Sequence, residues 1–470
     1  MKEISLLKQT LKALMQGQLR AAQDPHRPAW HLAAPVGLLN DPNGFIQFDG
    51  HFHLFYQWNP LACAHGAKFW GHWRSDDLIH WQHEPIALVP SEEYESHGCY
   101  SGSAVDNNGV LTLIYTGNVK FADGSRTAWQ CLATLEEDGS CRKLGPVIAL
   151  PDGYSGHVRD PKVWRHDDEQ WYMVLGAQNL AGEGKVLLLR SADLHNWQLL
   201  GEIAGSQLNG LGEFGYMWEC PDLFRLGDRD ILIVCPQGLA PQQTRWLNTF
   251  QSGYFIGELD YQQARFAHGE FHELDLGFEF YAPQTTASSD GRRLLFGWMG
   301  IPDGDEFYQP TLAYGWIHQM TCPRELSLEE GRLHQRPARE LQQLRRSPQT
   351  WQGAAHQLAP LDISSAELLI QPEGALTLHF ADALCLSWNG EQLRLSRRNP
   401  RSGLEEHRYW HGSLAQLHIF CDRSSVEIFI NDGEAVMSSR YFPSAAPQLR
   451  LTDETQVNLH YWRLEDGVIV

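Results

Sequence analysis

The sequence predicts an all-β protein, a five-bladed β-propeller followed by a β-sandwich. Three observations predict it. A strand–turn–strand unit recurs five times. The recurrence stops before a stretch of helix-forming residues. Alternating apolar runs then continue to the end of the chain.

The first unit opens at Asp41-Pro42-Asn43-Gly44-Phe45, turns at Asp49-Gly50 and continues through His53-Leu54-Phe55-Tyr56. The second opens at Tyr100-Ser101-Gly102-Ser103 and leads to Leu111-Thr112-Leu113-Ile114-Tyr115. The third opens at Arg159-Asp160-Pro161 and leads to Trp171-Tyr172-Met173-Val174, and the fourth opens at Glu219-Cys220-Pro221 and leads to Ile231-Leu232-Ile233-Val234. The fifth opens at Tyr281-Ala282-Pro283 and leads to Leu294-Leu295-Phe296. Aligning Pro42, Gly102, Pro161, Pro221 and Pro283 gives a period of about 60 residues. Outer strands are marked by Ser75-Asp76-Asp77-Leu78-Ile79-His80-Trp81, which recurs as Ser191-Ala192-Asp193-Leu194-His195-Asn196-Trp197. Four short strands in each of five units read as a five-bladed propeller.

The remaining elements follow in order. Leu7, Leu11, Leu14 and Met15 are expected to share one face of an amphipathic N-terminal helix within residues 1–28. The propeller is expected over 29–335. Residues 336–354, rich in helix formers from Pro337 to Arg346, are expected as a helical linker. Alternation at Ala375–Phe380 and Gln392–Ser396, with a hairpin signal at Asn431-Asp432-Gly433, predicts a sandwich over 355–470.

Composition narrows the function classes. A formal net charge of -20 argues against nucleic-acid backbones and anionic membranes as partners. An anionic small molecule would need a local cationic pocket. Nine cysteines without a C-x-x-C argue against a zinc site or a disulfide framework and fit a reduced cytoplasm. Lys8 and Lys12 interrupt the N-terminal apolar run, so no secretory signal is expected, and no stretch reaches the ~20 apolar residues of a membrane span.

Three carboxylates occupy nearly the same phase of three units: Asp41, Asp160 and Glu219. Each alone is an ordinary turn residue beside a strand-opening proline. Equal phase in a propeller, however, brings all three to one mouth of the central channel. Glu219 stands one position earlier than the others relative to its proline, and the sequence leaves that offset unexplained. Three convergent acids suit glycoside hydrolysis, in which one carboxylate attacks the anomeric carbon and a carboxylic acid protonates the leaving oxygen. A third can hold hydroxyls and stabilise the developing positive charge.

Asn40-Asp41-Pro42-Asn43-Gly44, Arg159-Asp160-Pro161 and Glu219-Cys220-Pro221 resemble the signature motifs of glycoside hydrolase family 32, the family of invertases and sucrose-6-phosphate hydrolases. His53-Leu54-Phe55-Tyr56-Gln57-Trp58-Asn59-Pro60, Trp70-Gly71-His72, Tyr100-Ser101-Gly102-Ser103, Gly297-Trp298-Met299 and Asp422–Asn431 extend the resemblance over nearly the whole chain. It implies Asp41 as nucleophile, Glu219 as acid/base and Asp160, beside Arg159, as transition-state stabiliser. It further implies Asn40, Gln57, Tyr100, Ser101 and Arg159 as substrate contacts, with Trp70 and Trp316 as pocket walls. It implies a sugar substrate with neither metal nor organic cofactor. Many members carry Trp where this chain has Leu38 and His65, so that rim is less aromatic here.

Blander roles compete at several positions. Gln57 could satisfy a core hydrogen bond, and Trp70 and Trp316 could be blade packing. Cys220 is expected as a small buried residue beside Glu219, and His31 and His72 as structural hydrogen-bonders. Phosphate candidates are Lys120, Lys68 and His65. Lys120 enters because Tyr115–Phe121 resembles the cytoplasmic sucrose-6-phosphate hydrolases more than the secreted invertases. The alternatives are a fructan hydrolase or fructosyltransferase on the same scaffold, or a non-catalytic sugar-binding propeller. Oligomeric state has no signature in the sequence.

Overall fold

The computed structural model describes residues 2–467. They form one helix of several turns, α1 (Lys2–Ala22), and an otherwise all-β chain. Five sheets of four or five strands come first, and two six-stranded sheets follow. Each of the five smaller sheets begins with a strand named here in order: β1 (Gly37–Phe48), β2 (Cys99–Asp106), β3 (Tyr154–Arg165), β4 (Met217–Leu226) and β5 (Tyr281–Ala287). These strands contact one another in sequence, and β5 returns to β1. Near their centre the Gln284 side chain of β5 accepts from Phe45 N–H (2.9 Å) and donates to the Gly102 carbonyl (2.8 Å), tying β5 to β1 and β2.

Every one of the five strands is interrupted where its motif stands. Leu39 pairs with Trp58 and Pro42 with Tyr56, so Asn40 and Asp41 together oppose Gln57. In β3, β4 and β5 two residues likewise oppose one, at Asp160-Pro161, Cys220-Pro221 and Ala282-Pro283; in β2, Ser101 is the extra residue. Asp160, Cys220 and Ala282 adopt positive φ of 66°, 49° and 49°. A bulge re-aims side chains that strict alternation would send to opposite faces. This explains the offset of Glu219, because residues at both motif positions can turn to the same side.

The repeated Ser–Trp segments form the same loop twice. Ser75 Oγ accepts the N–H groups of Asp77 and Leu78, and Asp77 Oδ1 accepts those of Ile79 and His80. Ser191 and Asp193 do the same for the second copy. Trp81 and Trp197 each close the loop by donating from the indole to the leucine carbonyl three residues back. Such side-chain-to-backbone bonds are the reason Ser and Asp recur at those places.

Two expectations need correction. The N-terminal helix forms, but Leu11 and Met15 are exposed, while Thr10 and Ala21 are buried and Leu14 packs on the core. The buried face follows Gly17, where a Cβ would meet Val36 at 2.9 Å, so the backbone itself sits against the body of the protein. The expected helical linker holds only a short 3-10 turn, Arg339–Leu344. Arg345–Ala354 is then a strand, paired antiparallel with Gln456–Leu464 at the edge of a six-stranded sheet. Pairing with a ready sheet edge outweighs a weak helical preference.

The two six-stranded sheets close on one core that includes Leu368, Ile370, Leu378, Leu386, Ile419 and Ile428. The turn at Asn431-Asp432-Gly433 joins Ser425–Ile430 to Ala435–Arg440, with positive φ at all three residues.

A buried ionic network joins this part to the smaller sheets. His31 Nδ1 lies 2.8 Å from Asp422 and Nε2 lies 2.7 Å from Glu427. Arg324 reaches Glu427 (2.8 Å) and Asp275 (3.2 Å), and none of these side chains is exposed. Burial lowers the pKa of His31, but the two carboxylates outweigh it and hold the ring protonated. His31 is thus structural, as is His72, whose Nε2 lies 2.9 Å from His53. Removing one member of a buried ion set leaves its partners uncompensated, at a cost of about 3–5 kcal/mol. Glu427→Gln is therefore expected to lower the thermal unfolding midpoint by several degrees, measured by circular dichroism.

Candidate active site

Asp41, Asp160 and Glu219 come from three different strands and meet through shared partners. Cys220 is the hub. Its backbone N–H donates to Asp160 Oδ2 (2.9 Å), and its Sγ lies 3.5 Å from that oxygen and 3.6 Å from Asp41 Oδ2. The neighbouring Cys235 thiol, burial and the charges of Asp160 and Asp41 push the Cys220 thiol well up. It stays protonated and supplies a weak donor between two carboxylates.

Asp41 accepts from Ser101 Oγ (2.5 Å) and from Asn40 Nδ2 (3.1 Å). Burial raises its pKa; Ser101 lowers it, Glu219 raises it further, and Asn40 and Lys68 lower it. The Asp160 carboxyl is also raised by burial, against Arg159, with Glu219 and Asp41 adding to the rise. Bridged by Cys220 Sγ, the Asp41 and Asp160 carboxyls both hold their proton more readily than exposed aspartates do.

Glu219 is gripped on both oxygens. Oε1 accepts from Arg159 Nε (3.0 Å) and Nη2 (2.6 Å), and Oε2 accepts from Tyr281 Oη (2.6 Å) and Gln237 Nε2 (2.9 Å). Its side chain is 14% exposed, so it faces the opening rather than the core. Replacing Tyr281 with Phe removes one hydrogen bond to a charged group, worth about 1.5–3 kcal/mol. A loss of roughly tenfold or more in kcat/KM, measured on the sugar substrate, is the expected result.

Asn40 is oriented by a chain of polar groups. Lys68 Nζ donates to Asn40 Oδ1 (2.8 Å), which leaves Nδ2 to serve Asp41 and Gln57 Oε1 (2.7 Å). Lys68 also contacts His65 Nδ1 (2.9 Å), whose Nε2 reaches Glu306 (3.0 Å), and His318 holds the other Glu306 oxygen (2.7 Å). Burial brings Lys68 down to about 7, against the charges of Asp41 and Glu306.

The structure corrects several sequence expectations. Trp70 and Trp316 are 0% exposed, so neither ring has a face open to a sugar. Their indoles donate to the Tyr100 carbonyl (3.0 Å) and to Asp24 (2.8 Å). Lys68 is 4% exposed and spent on Asn40 and His65, and both His65 nitrogens are occupied, so these two candidates offer little to a phosphate. Asn40, Gln57, Ser101 and Arg159 stand with the acids, and Tyr100 lies half-buried under Arg126. Lys120 is exposed at a strand end.

Sequence reasoning missed Tyr281 and Gln237. Tyr281 stands two residues before Pro283, the phase that Glu219 holds before Pro221, so the repeat carried a signal for it. Gln237 lies outside the repeated motif and had none. A cavity of about 610 Å³ lies elsewhere, between the two parts of the chain, and includes none of the three acids.

Residues 31–337 match the model of the glycosyl hydrolases family 32 N-terminal domain, and 389–463 match the family 32 C-terminal model. The chain is 60% identical over 465 residues to a sucrose-6-phosphate hydrolase of Salmonella typhimurium, covering 99% of each. A solved sucrose-6-phosphate hydrolase of Lactobacillus gasseri superposes with a TM-score of 0.90 at 31% identity, covering 97% of this chain and 96% of that one. A Bombyx mori β-fructofuranosidase mutant, solved in complex with sucrose, gives 0.86 at 33% identity, covering 100% of this chain and 99% of that one.

Proposed function

The chain belongs to glycosyl hydrolase family 32, and from that membership we propose that it is a retaining β-fructofuranosidase, cleaving sucrose-6-phosphate and sucrose. The products are fructose and glucose-6-phosphate or glucose. The observation that carries this reading is the meeting of Asp41, Asp160 and Glu219 around Cys220 and Arg159. The fold we infer is a five-bladed propeller followed by a sandwich. The return of β5 to β1 supports closure of five blades.

Asp41 attacks C2 of the fructosyl unit. The C2–O bond breaks as Glu219 gives its proton to the departing glucosyl oxygen, and an ester forms at Asp41. Glu219, now a carboxylate, takes a proton from water, whose oxygen attacks C2 and releases Asp41. Ser101 and Asn40 hold Asp41 in line. Asp160 accepts fructose hydroxyls and offsets charge at the oxocarbenium-like stage. Arg159 keeps Glu219 in place between its two roles. The reaction calls on no metal or organic cofactor. None of the helices among the described residues is long and apolar enough to cross a membrane. The nine cysteines without a C-x-x-C support the cytoplasm as the place of the reaction.

The test is kcat/KM for sucrose and for sucrose-6-phosphate, with proton NMR of the first anomer released. Cleavage of both with retained configuration is expected. Inverted product, or no cleavage of either sugar, would sink the proposal.

A further inference from the structure

Beyond Arg159 lies a group of cationic and donor side chains that the reaction steps do not use. Lys120 and Arg126 pair directly opposite each other on adjacent antiparallel strands, so their side chains leave the same face. Like charges so placed repel. Among the described residues neither has a carboxylate within salt-bridge distance. Arg126 Nη2 donates to Asn118 (2.6 Å), and its Nε is buried without any partner. His157 Nδ1 lies between two guanidiniums, 3.3 Å from Arg126 Nη1 and 2.9 Å from Arg159 Nη1. A ring nitrogen between two such donors must be the acceptor, so the His157 proton sits on Nε2 and can be given to a ligand.

Position says which part of a substrate would meet these groups. Arg159 links them to Glu219, the residue that protonates the leaving oxygen. On the same strand as Lys120, Thr116 accepts the Asp160 N–H, so Lys120 stands four residues outward from the acids. With C2 of the fructosyl unit at Asp41, as the proposed reaction requires, the leaving sugar would extend past Glu219 toward Arg126. An unneutralised Lys–Arg pair, beside a neutral histidine donor, suits a dianion. In a chain of net charge -20 it is a local exception.

We propose that Arg126, His157 and Lys120 form the subsite for the phosphate monoester on the leaving glucosyl unit. The subsite rests on the hydrolase reading above. Arg126 supplies the planar fork, Lys120 a flexible second charge from the rim, and His157 a single N–H. Lys68 and His65 take no part, Lys68 being committed to Asn40 and His65 to Lys68 and Glu306.

The experiment measures kcat/KM for sucrose-6-phosphate and sucrose in the intact wild type, Arg126→Gln, Arg126→Lys and Lys120→Ala. Arg126→Gln is expected to reduce the ratio of the two efficiencies, phosphorylated over plain, by about 10- to 100-fold, chiefly through KM. Arg126→Lys should restore part of that ratio, and Lys120→Ala, at an exposed position that does not threaten folding, should reduce it several-fold. Inorganic phosphate should compete with sucrose-6-phosphate in the wild type and lose that effect in Arg126→Gln. Equal proportional losses on both sugars in Arg126→Gln and Lys120→Ala would overturn the subsite while leaving the hydrolase intact. A wild type inert to both sugars would overturn the hydrolase reading, and the subsite with it.

Discussion

Asp41→Asn is expected to lower kcat for fructosyl cleavage by about 10⁴- to 10⁶-fold, the range lost when a covalent nucleophile is removed. The change keeps the size of the side chain; the one amide oxygen can still accept from Asn40, the amide N–H can donate to Ser101 Oγ, and the fold should survive. What disappears is the negative charge that meets C2. An amide oxygen is too weak a nucleophile to form the ester, so no later step can compensate. The measurement is single-turnover hydrolysis alongside a thermal melt. A native melt with cleavage within tenfold of the wild type would remove Asp41 from the mechanism. In the active protein, mass spectrometry of acid-quenched enzyme should find a fructosyl mass on the peptide containing Asp41.

Glu219→Gln should cost somewhat less, about 10²- to 10⁴-fold, the usual worth of a positioned acid or base. In the proposed mechanism Glu219 gives a proton in one step and takes one in the next, and an amide does neither. The loss should depend on the leaving group. A fructoside carrying p-nitrophenolate needs little protonation to depart, so its first step should suffer far less than that of sucrose. Comparable loss on both substrates would mean that Glu219 serves geometry alone. Arg159 sharpens this test. With its counter-ion gone, its guanidinium is left beside His157, so the arginine too is expected to move.

The repeat made the acids legible before any coordinates, because a residue's phase in a recurring strand is a three-dimensional statement. It also covered Ser101 and Asn40. Tyr281 stands at the same phase before its proline but carries no charge to mark it. Arg126 and His157 were not legible, because they lie off the repeated position and meet only when two sheets pack. The tryptophans failed for the opposite reason. Trp70 belongs to a motif that accompanies the site and Trp316 to none of the repeated segments, and neither placement tells which side of a strand faces water; both indoles turned inward. Residues 336–354 had helical composition, but a waiting strand, Gln456–Leu464, decided their conformation.

The union of His31 and Arg324 with Asp422 and Glu427 bears on how the protein is made. As the chain leaves the ribosome, the histidine emerges long before both of its acids, and the arginine follows Asp275 but precedes Glu427. A chain cut before Asp422 would therefore keep His31 and Arg324 without Asp422 and Glu427, and the closing strands act as a latch on the charges buried ahead of them.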